Sequence, residues 1–146
     1  MGHISKYKNI NLLSRAQSRY LESCLNLSDD GIKACHAKYL LTVCNNSGVS
    51  QDEFAKIAYI NKSNVSRSLT ALETAGFITR KPDEDDLRVI RVYPTQKALD
   101  LYPRIHKLNE EWREILTESF SKEEKELLAD LTERLVEKAA KYLENF

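Results

Sequence analysis

The chain has 146 residues, 42% hydrophobic and 30% charged, and its 22 basic and 22 acidic side chains cancel to a formal net charge of zero. This is the size and composition of one ordinary globular domain, without the overall basic balance of many nucleic-acid binders. No apolar run approaches the roughly 20 residues of a membrane-spanning helix, which excludes a membrane protein of that class.

The zero total hides an uneven spread. Residues 1–49 carry six Lys/Arg against three acids, and residues 107–146 carry seven against eleven, so an acidic C-terminal part can mask a basic face elsewhere. The opening MGHISKYKNI has no apolar signal core, and Lys6 stands where a myristoylation site needs Ser or Thr, so a cytoplasmic protein is expected. Cysteines 24, 35 and 44 are odd in number, lie outside any CxxC spacing, and are not near histidines at ligand spacing. They argue against a disulfide framework and against a metal site. Cys35 and His36 are neighbours pointing about 100° apart on a helix, which is no chelate.

In chain order, the first predicted helix covers about residues 5–25. Ile10, Leu13, Ala16, Tyr20 and Cys24 follow helical steps, while Leu12, Leu21 and Leu25 widen the stripe. Two apolar faces imply burial against the body of the chain and against a partner. A second helix is predicted over about 29–46, with Ile32, Cys35, His36, Tyr39, Leu40 and Val43 at helical spacing. The turn cluster Asn45-Asn46-Ser47-Gly48 ends it.

Ser50, with Glu53 three residues on, has the spacing of a capping box opening a short helix, QDEFAKIA, that buries Phe54, Ile57 and Ala58. The next helix is the centre of the sequence. Asn61 is its cap, Gly76 its stop, and Val65, Leu69 and Leu72 share one face. The opposite face presents Lys62, Ser63, Asn64, Ser66, Arg67 and Thr70, with Glu73 the acid among them. Solvent-facing helices usually carry Glu and Lys, whereas a row of short hydrogen-bonding groups and cations suits a DNA groove. Phe77 to Lys81 then reads as a strand, 82–86 as a turn with Asp83 to Asp85 solvated, and Arg88 to Tyr93 as the returning strand, which makes a winged helix-turn-helix. Arg80, Lys81, Arg88 and Arg91 are the wing cations.

Thr95 caps a further helix through Leu99, Tyr102, Ile105, Leu108, Trp112 and Ile115, in which Pro103 predicts a kink. Ser121 and Glu124 form a second capping box, and Leu128, Leu131, Leu135, Ala139 and Tyr142 stripe the last helix. Its wet side pairs Lys122 with Glu126, Asp130 with Arg134 and Glu137 with Lys141. With four glycines in all, and no HExxH, nucleophile elbow, P-loop or glycine fingerprint, the chain reads as no enzyme and implies no cofactor.

Several pieces in order resemble the MarR (multiple antibiotic resistance regulator) family of transcription factors. They are Leu27-Ser28, Ser50-Gln51-x-x-Phe54-Ala55, Asn61-Lys62-Ser63-Asn64-Val65-Ser66-Arg67, Leu72-Glu73-x-x-Gly76-Phe77-Ile78-x-Arg80, Asp86-x-Arg88 and Thr95. The chain departs from the family pattern in having Leu87 where a second basic residue is usual, acids from Asp83 to Asp86, and Pro94 and Ala98 around Thr95.

The resemblance implies a mostly helical (α+β) winged helix-turn-helix with long terminal dimerisation helices. It divides a single domain, 1–146, into a DNA-binding lobe, 28–95, and dimerisation helices, 1–27 and 96–146. It implies a homodimer on a pseudo-palindromic duplex operator, most simply a repressor responding to a small aromatic or anionic effector.

The expected DNA contacts are Ser50, Gln51, Lys62, Ser63, Asn64, Ser66, Arg67, Thr70, Arg80, Lys81, Asp86 and Arg88, with Asp86 orienting Arg88. Tyr20, His36, Tyr39 and Trp112 are the candidates for an effector cleft, against the plainer reading of a satisfied core histidine and tyrosine. Ile10, Leu13, Leu131, Leu135 and Tyr142 are the expected dimer contacts. Two alternatives stand beside this reading: a repressor of the same fold that senses oxidation through Cys24, and a winged helix that binds protein instead of DNA.

Overall fold

A computed structural model describes the backbone of residues 2–145 and the side chains of residues 8–145. The chain is mostly helical, with one small antiparallel sheet. The elements are α1 (Gly2–Cys24), a 3-10 turn (Leu27–Asp30), α2 (Ala34–Asn45), β1 (Val49–Ser50), α3 (Gln51–Ala58), α4 (Lys62–Thr74), β2 (Ile78–Pro82), β3 (Ile90–Pro94), α5 (Gln96–Thr117) and α6 (Lys122–Leu143). They fall into two compact units, one through Glu110 and one from Glu111.

The first unit holds the buried core. Leu21 and Leu25 from the first helix region, Leu40 and Val43 from α2, Phe54 from α3, Leu69 and Leu72 from α4, and Phe77, Ile78 and Val92 from the hairpin are all buried together. Leu27, Ile32, Ala98 and Ile105 complete it. The sheet runs in the order β1-β3-β2, with Arg80 opposite Val92 and Ser50 opposite Arg91. In the second unit α6 begins at a capping box in which Ser121 Oγ accepts the Glu124 amide and Glu124 returns to the Ser121 amide. Within the chain α6 buries no residue.

The structure corrects the sequence reading in five places. Residues 29–33 are not helical: Gly31 turns left-handed at φ 72°, Ile32 donates back to Leu27, and α2 starts only at Ala34. The short strand β1 is an addition; it pairs with β3 just before α3. Ile57 is exposed, not buried, because Phe54 and Ala55, with Ala58 partly, cover the inner face of α3.

The two wing strands are also shifted, so Arg88 and Val89 belong to the turn. The cause is Asp83, whose carboxylate accepts the amides of Asp85 and Asp86 at 3.1 Å and folds the tip into a wider loop. Asp83 is therefore a structural anchor and not a solvated turn residue. The helix expected to run through Pro103 is present, as α5.

Candidate nucleic-acid interface

Two caps fix the start of each helix in the helix-turn-helix. Ser50 is buried; its hydroxyl accepts the Glu53 amide at 3.1 Å, and the Glu53 carboxylate accepts the Ser50 amide at 3.0 Å. These hydrogen bonds hold the Glu53 carboxyl below its ordinary value. Asn61 Oδ1 accepts the Asn64 amide at 2.9 Å and the Ser63 hydroxyl at 2.8 Å, and so starts α4. Val65, Leu69 and Leu72 face inward from α4, leaving Lys62, Ser63, Asn64, Ser66, Arg67 and Thr70 exposed along the other side. Lys62 reaches Asp52 at 3.2 Å, but both side chains are over two-thirds exposed, so the pair constrains little. Arg67 has no ion pair or hydrogen bond among the described residues, so its guanidinium is open to a ligand.

The wing cations divide into two kinds. Arg80 turns inward: it bonds Glu73 through Nε and Nη2, Gln51 Oε1 at 3.2 Å and Thr70 Oγ1 at 3.1 Å. Three residues read from sequence as DNA contacts, Gln51, Thr70 and Arg80, are thus brought together at one junction, with Thr70 at its exposed edge. Arg91 also turns inward, to Asp83 and to the Gly48 carbonyl at 3.0 Å, which ties the hairpin to β1. Arg91 keeps the Asp83 carboxyl depressed, and Asp83 raises Arg91 in return.

Arg88 is the outward cation of the tip. Its side chain is 91% exposed, while Asp86 grips Nε at 3.0 Å and Nη2 at 3.2 Å. That contact lowers the Asp86 carboxyl and aims the guanidinium without covering it. Lys81 is exposed and lies 5.9 Å from the centre of the Tyr93 ring.

Glu73 and Asp83, which anchor the two inward arginines, are the residues the sequence reading missed. Their signal was faint: Glu73 and Arg80 flank the Gly76 turn, and Asp83, just past β2, and Arg91, in β3, belong to one hairpin.

The MarR family model matches residues 35–90, the stretch from α2 to the start of β3. Over this stretch, which holds the helix-turn-helix and the wing, the chain is similar to the MarR family of transcriptional regulators. It is 27% identical over 130 residues to the uncharacterized HTH-type transcriptional regulator YybA of Bacillus subtilis, covering 88% of this chain and 84% of that protein. Its fold matches the crystal structure of the transcriptional regulator SlyA at TM-score 0.85 and 25% identity, over 94% and 96% of the two chains. A MarR-family regulator from Listeria monocytogenes, solved with a 26mer DNA, matches at TM-score 0.83 and 25% identity, over 92% and 89%.

The remaining candidates belong to elements other than α4. Tyr20, His36 and Tyr39 are half-buried in the first unit, and Trp112 is half-buried in the second. His36 serves the local fold, since its Nδ1 accepts the Lys33 amide at 3.1 Å at the start of α2. Burial, assisted by Lys33, lowers its pKa. Tyr39 meets Phe54 edge-on with ring centres 5.7 Å apart.

Cys24 is half-buried, and its carbonyl accepts Arg104 Nη2 at 2.6 Å. Cys35 is the exposed thiol, and Cys44 is half-buried with its pKa raised by desolvation. Among the described residues no cluster of His, Cys, Asp and Glu could hold a metal ion, and no helix is long and apolar enough to cross a membrane. Ile10, Leu13, Leu131, Leu135 and Tyr142 are all exposed on the single chain.

Proposed function

We propose that this protein is a cytoplasmic, dimeric repressor of the MarR family that binds duplex DNA and releases it when a small aromatic or anionic effector binds. The observation that carries the DNA reading is the exposed polar face of α4, centred on Arg67, over a buried apolar face and beside the outward Arg88 of the wing. A groove offers the short side chains base edges and the cations phosphates. In this reading α4 enters the major groove, and Lys81 and Arg88 meet backbone or minor groove. Ser50, Gln51 and Arg80 act behind that surface, holding the helices in register, and Thr70 stands at its edge.

Dimerisation is proposed from the exposed Leu131, Leu135 and Tyr142 of α6 and Ile10 and Leu13 of α1. Exposed apolar stripes on each of these helices are costly to leave in water. The terminal segments, 1–27 and 96–146, would pair the chains while the lobe at 28–95 reads DNA. Two lobes related by a twofold axis would read a pseudo-palindrome with half-sites about 10 bp apart. A dimer seated on a promoter occludes polymerase, hence repression.

Gel shift against a random-duplex pool, followed by sequencing of the retained duplexes, tests the reading. A palindromic motif is expected; no retained duplex at low salt would overturn it and leave a protein-binding winged helix. Sedimentation at low micromolar concentration is expected to give twice the chain mass, and a monomer would remove the palindrome argument.

A further inference from the structure

We infer that Tyr59, at the elbow between α3 and α4, is a DNA-backbone contact whose hydroxyl donates to a phosphodiester oxygen next to the start of α4. α3 ends in a Schellman motif: Ile60 donates to the Ala55 carbonyl at 3.1 Å, and Tyr59 donates to the Lys56 carbonyl at 3.4 Å. That motif needs a left-handed residue, and Tyr59 takes it with φ 54° and ψ 42°. Glycine is the ordinary occupant, since a Cβ makes this conformation strained. Every other positive-φ position among the described residues is in fact glycine: 31, 48 and 76.

The tyrosine is not held in place by core packing. The side chain is outside the core cluster, the residue is 51% exposed, and its hydroxyl makes no hydrogen bond among the described residues. Strain retained at a half-exposed residue whose hydroxyl has no partner points to an external contact. The place identifies the partner. Two residues later Asn61 caps α4, and Lys62 and Ser63 are exposed on its first turn. A helix start of this kind, with outward amides and a cation, attracts phosphate. A strand that meets Lys62 passes within reach of a phenol three residues upstream.

This inference rests on the DNA-binding reading above. Tyr59→Gly, Tyr59→Asn and Tyr59→Phe are compared with the wild type by thermal unfolding and by anisotropy on a labelled random-sequence duplex across a salt series. The Gly and Asn variants, which accept the left-handed backbone, are expected to melt several degrees higher and to bind roughly three- to tenfold more weakly. A structural residue would not separate stability from binding in that way. The Phe variant should melt like the wild type and show most of the binding loss. The log–log salt slope should be unchanged throughout, because a neutral hydroxyl releases no counterion. Wild-type affinity in all three variants would overturn the inference while leaving DNA binding intact, and would turn attention to Tyr59 and exposed Ile57 as a protein-docking pair. Loss of affinity together with a lower melting temperature would also overturn it, by making Tyr59 a packing residue. A wild type that binds no duplex would overturn the parent reading itself.

Discussion

Arg80 and Glu73 clasp each other across the turn that joins α4 to the wing. Glu73 Oε2 accepts the Arg80 amide at 3.1 Å and its Nε at 3.3 Å, and Oε1 accepts Nη2 at 3.1 Å. Because the same guanidinium bonds Gln51 and Thr70, the orientation of α4 relative to both α3 and β2 is set at one charged group. The clasp also holds the Glu73 carboxyl below its ordinary value, through the Arg80 hydrogen bond first.

Arg80→Ala should therefore weaken operator binding through geometry and not through charge. The pair is partly solvated, at 21% and 40% side-chain exposure, so the stability cost is expected to be about 1 kcal/mol. Discrimination between operator and random duplex should fall while the salt slope stays near the wild-type value. A slope reduced by about 1 would instead place Arg80 on a phosphate.

Arg88 and Arg67 should behave differently from Arg80 and from each other. Arg88→Ala removes an outward cation and should lower the log–log salt slope by about 1. If Arg67 reads a guanine edge, Arg67→Ala costs about 1–3 kcal/mol at one operator position; on a phosphate, the loss is uniform across sequences. Leu87, which is 75% exposed at the tip, is a place where Leu87→Arg should tighten random-duplex binding. An unchanged slope in Arg88→Ala would reduce that residue to a hairpin support for Asp86.

The contrast among the arginines marks where the sequence was legible. Periodicity placed α4 because Val65, Leu69 and Leu72 all lie on one face, and the caps Ser50, Asn61 and Ser121 were readable because capping chemistry is local. The winged architecture followed from those signals and the Gly76 stop. Direction was not legible for the cations: Arg80, Arg88 and Arg91 look alike in sequence. Which of them turns inward depends on Glu73, Asp86 and Asp83 reaching them in three dimensions. Ile57 and the 29–33 segment were misread for a related reason, since helical spacing continues past the point where a neighbouring element or Gly31 ends burial or the helix.

His36 supplies a pH dependence with a definite sign. Its Nδ1 must be unprotonated to accept the Lys33 amide, and burial already lowers its folded pKa below the ordinary value of about 6.5. The unfolded chain therefore takes up the proton first. The stabilisation is fully present above about pH 6.5 and is lost as pH falls through the folded value. Thermal unfolding between pH 7.5 and 5 should show this decline, and His36→Gln should flatten it. An equal decline in the variant would assign the slope to other groups.

The thiols give a test of how the protein is controlled. Cys35 lies in the first turn of α2 and is exposed, whereas Cys24 and Cys44 are half-buried and burial raises the Cys44 pKa. Thiol reagents attack the accessible thiolate, so Cys35 should label first, on the order of tenfold faster than the others, with Cys44 last. Cys35→Ser should remove the fast phase. Cys24 is the sensor in the oxidation reading, and its half-burial, with Arg104 on its carbonyl, favours slow modification. Hydroperoxide that releases duplex from wild type and equally from Cys24→Ser would eliminate that thiol, and release lost in Cys24→Ser would establish it. The effector reading makes the opposite demand: Tyr39→Ala, which also removes the edge contact to Phe54, should abolish release by an aromatic carboxylate while DNA affinity without effector stays near wild type. Release that survives Tyr39→Ala would move the effector away from this ring.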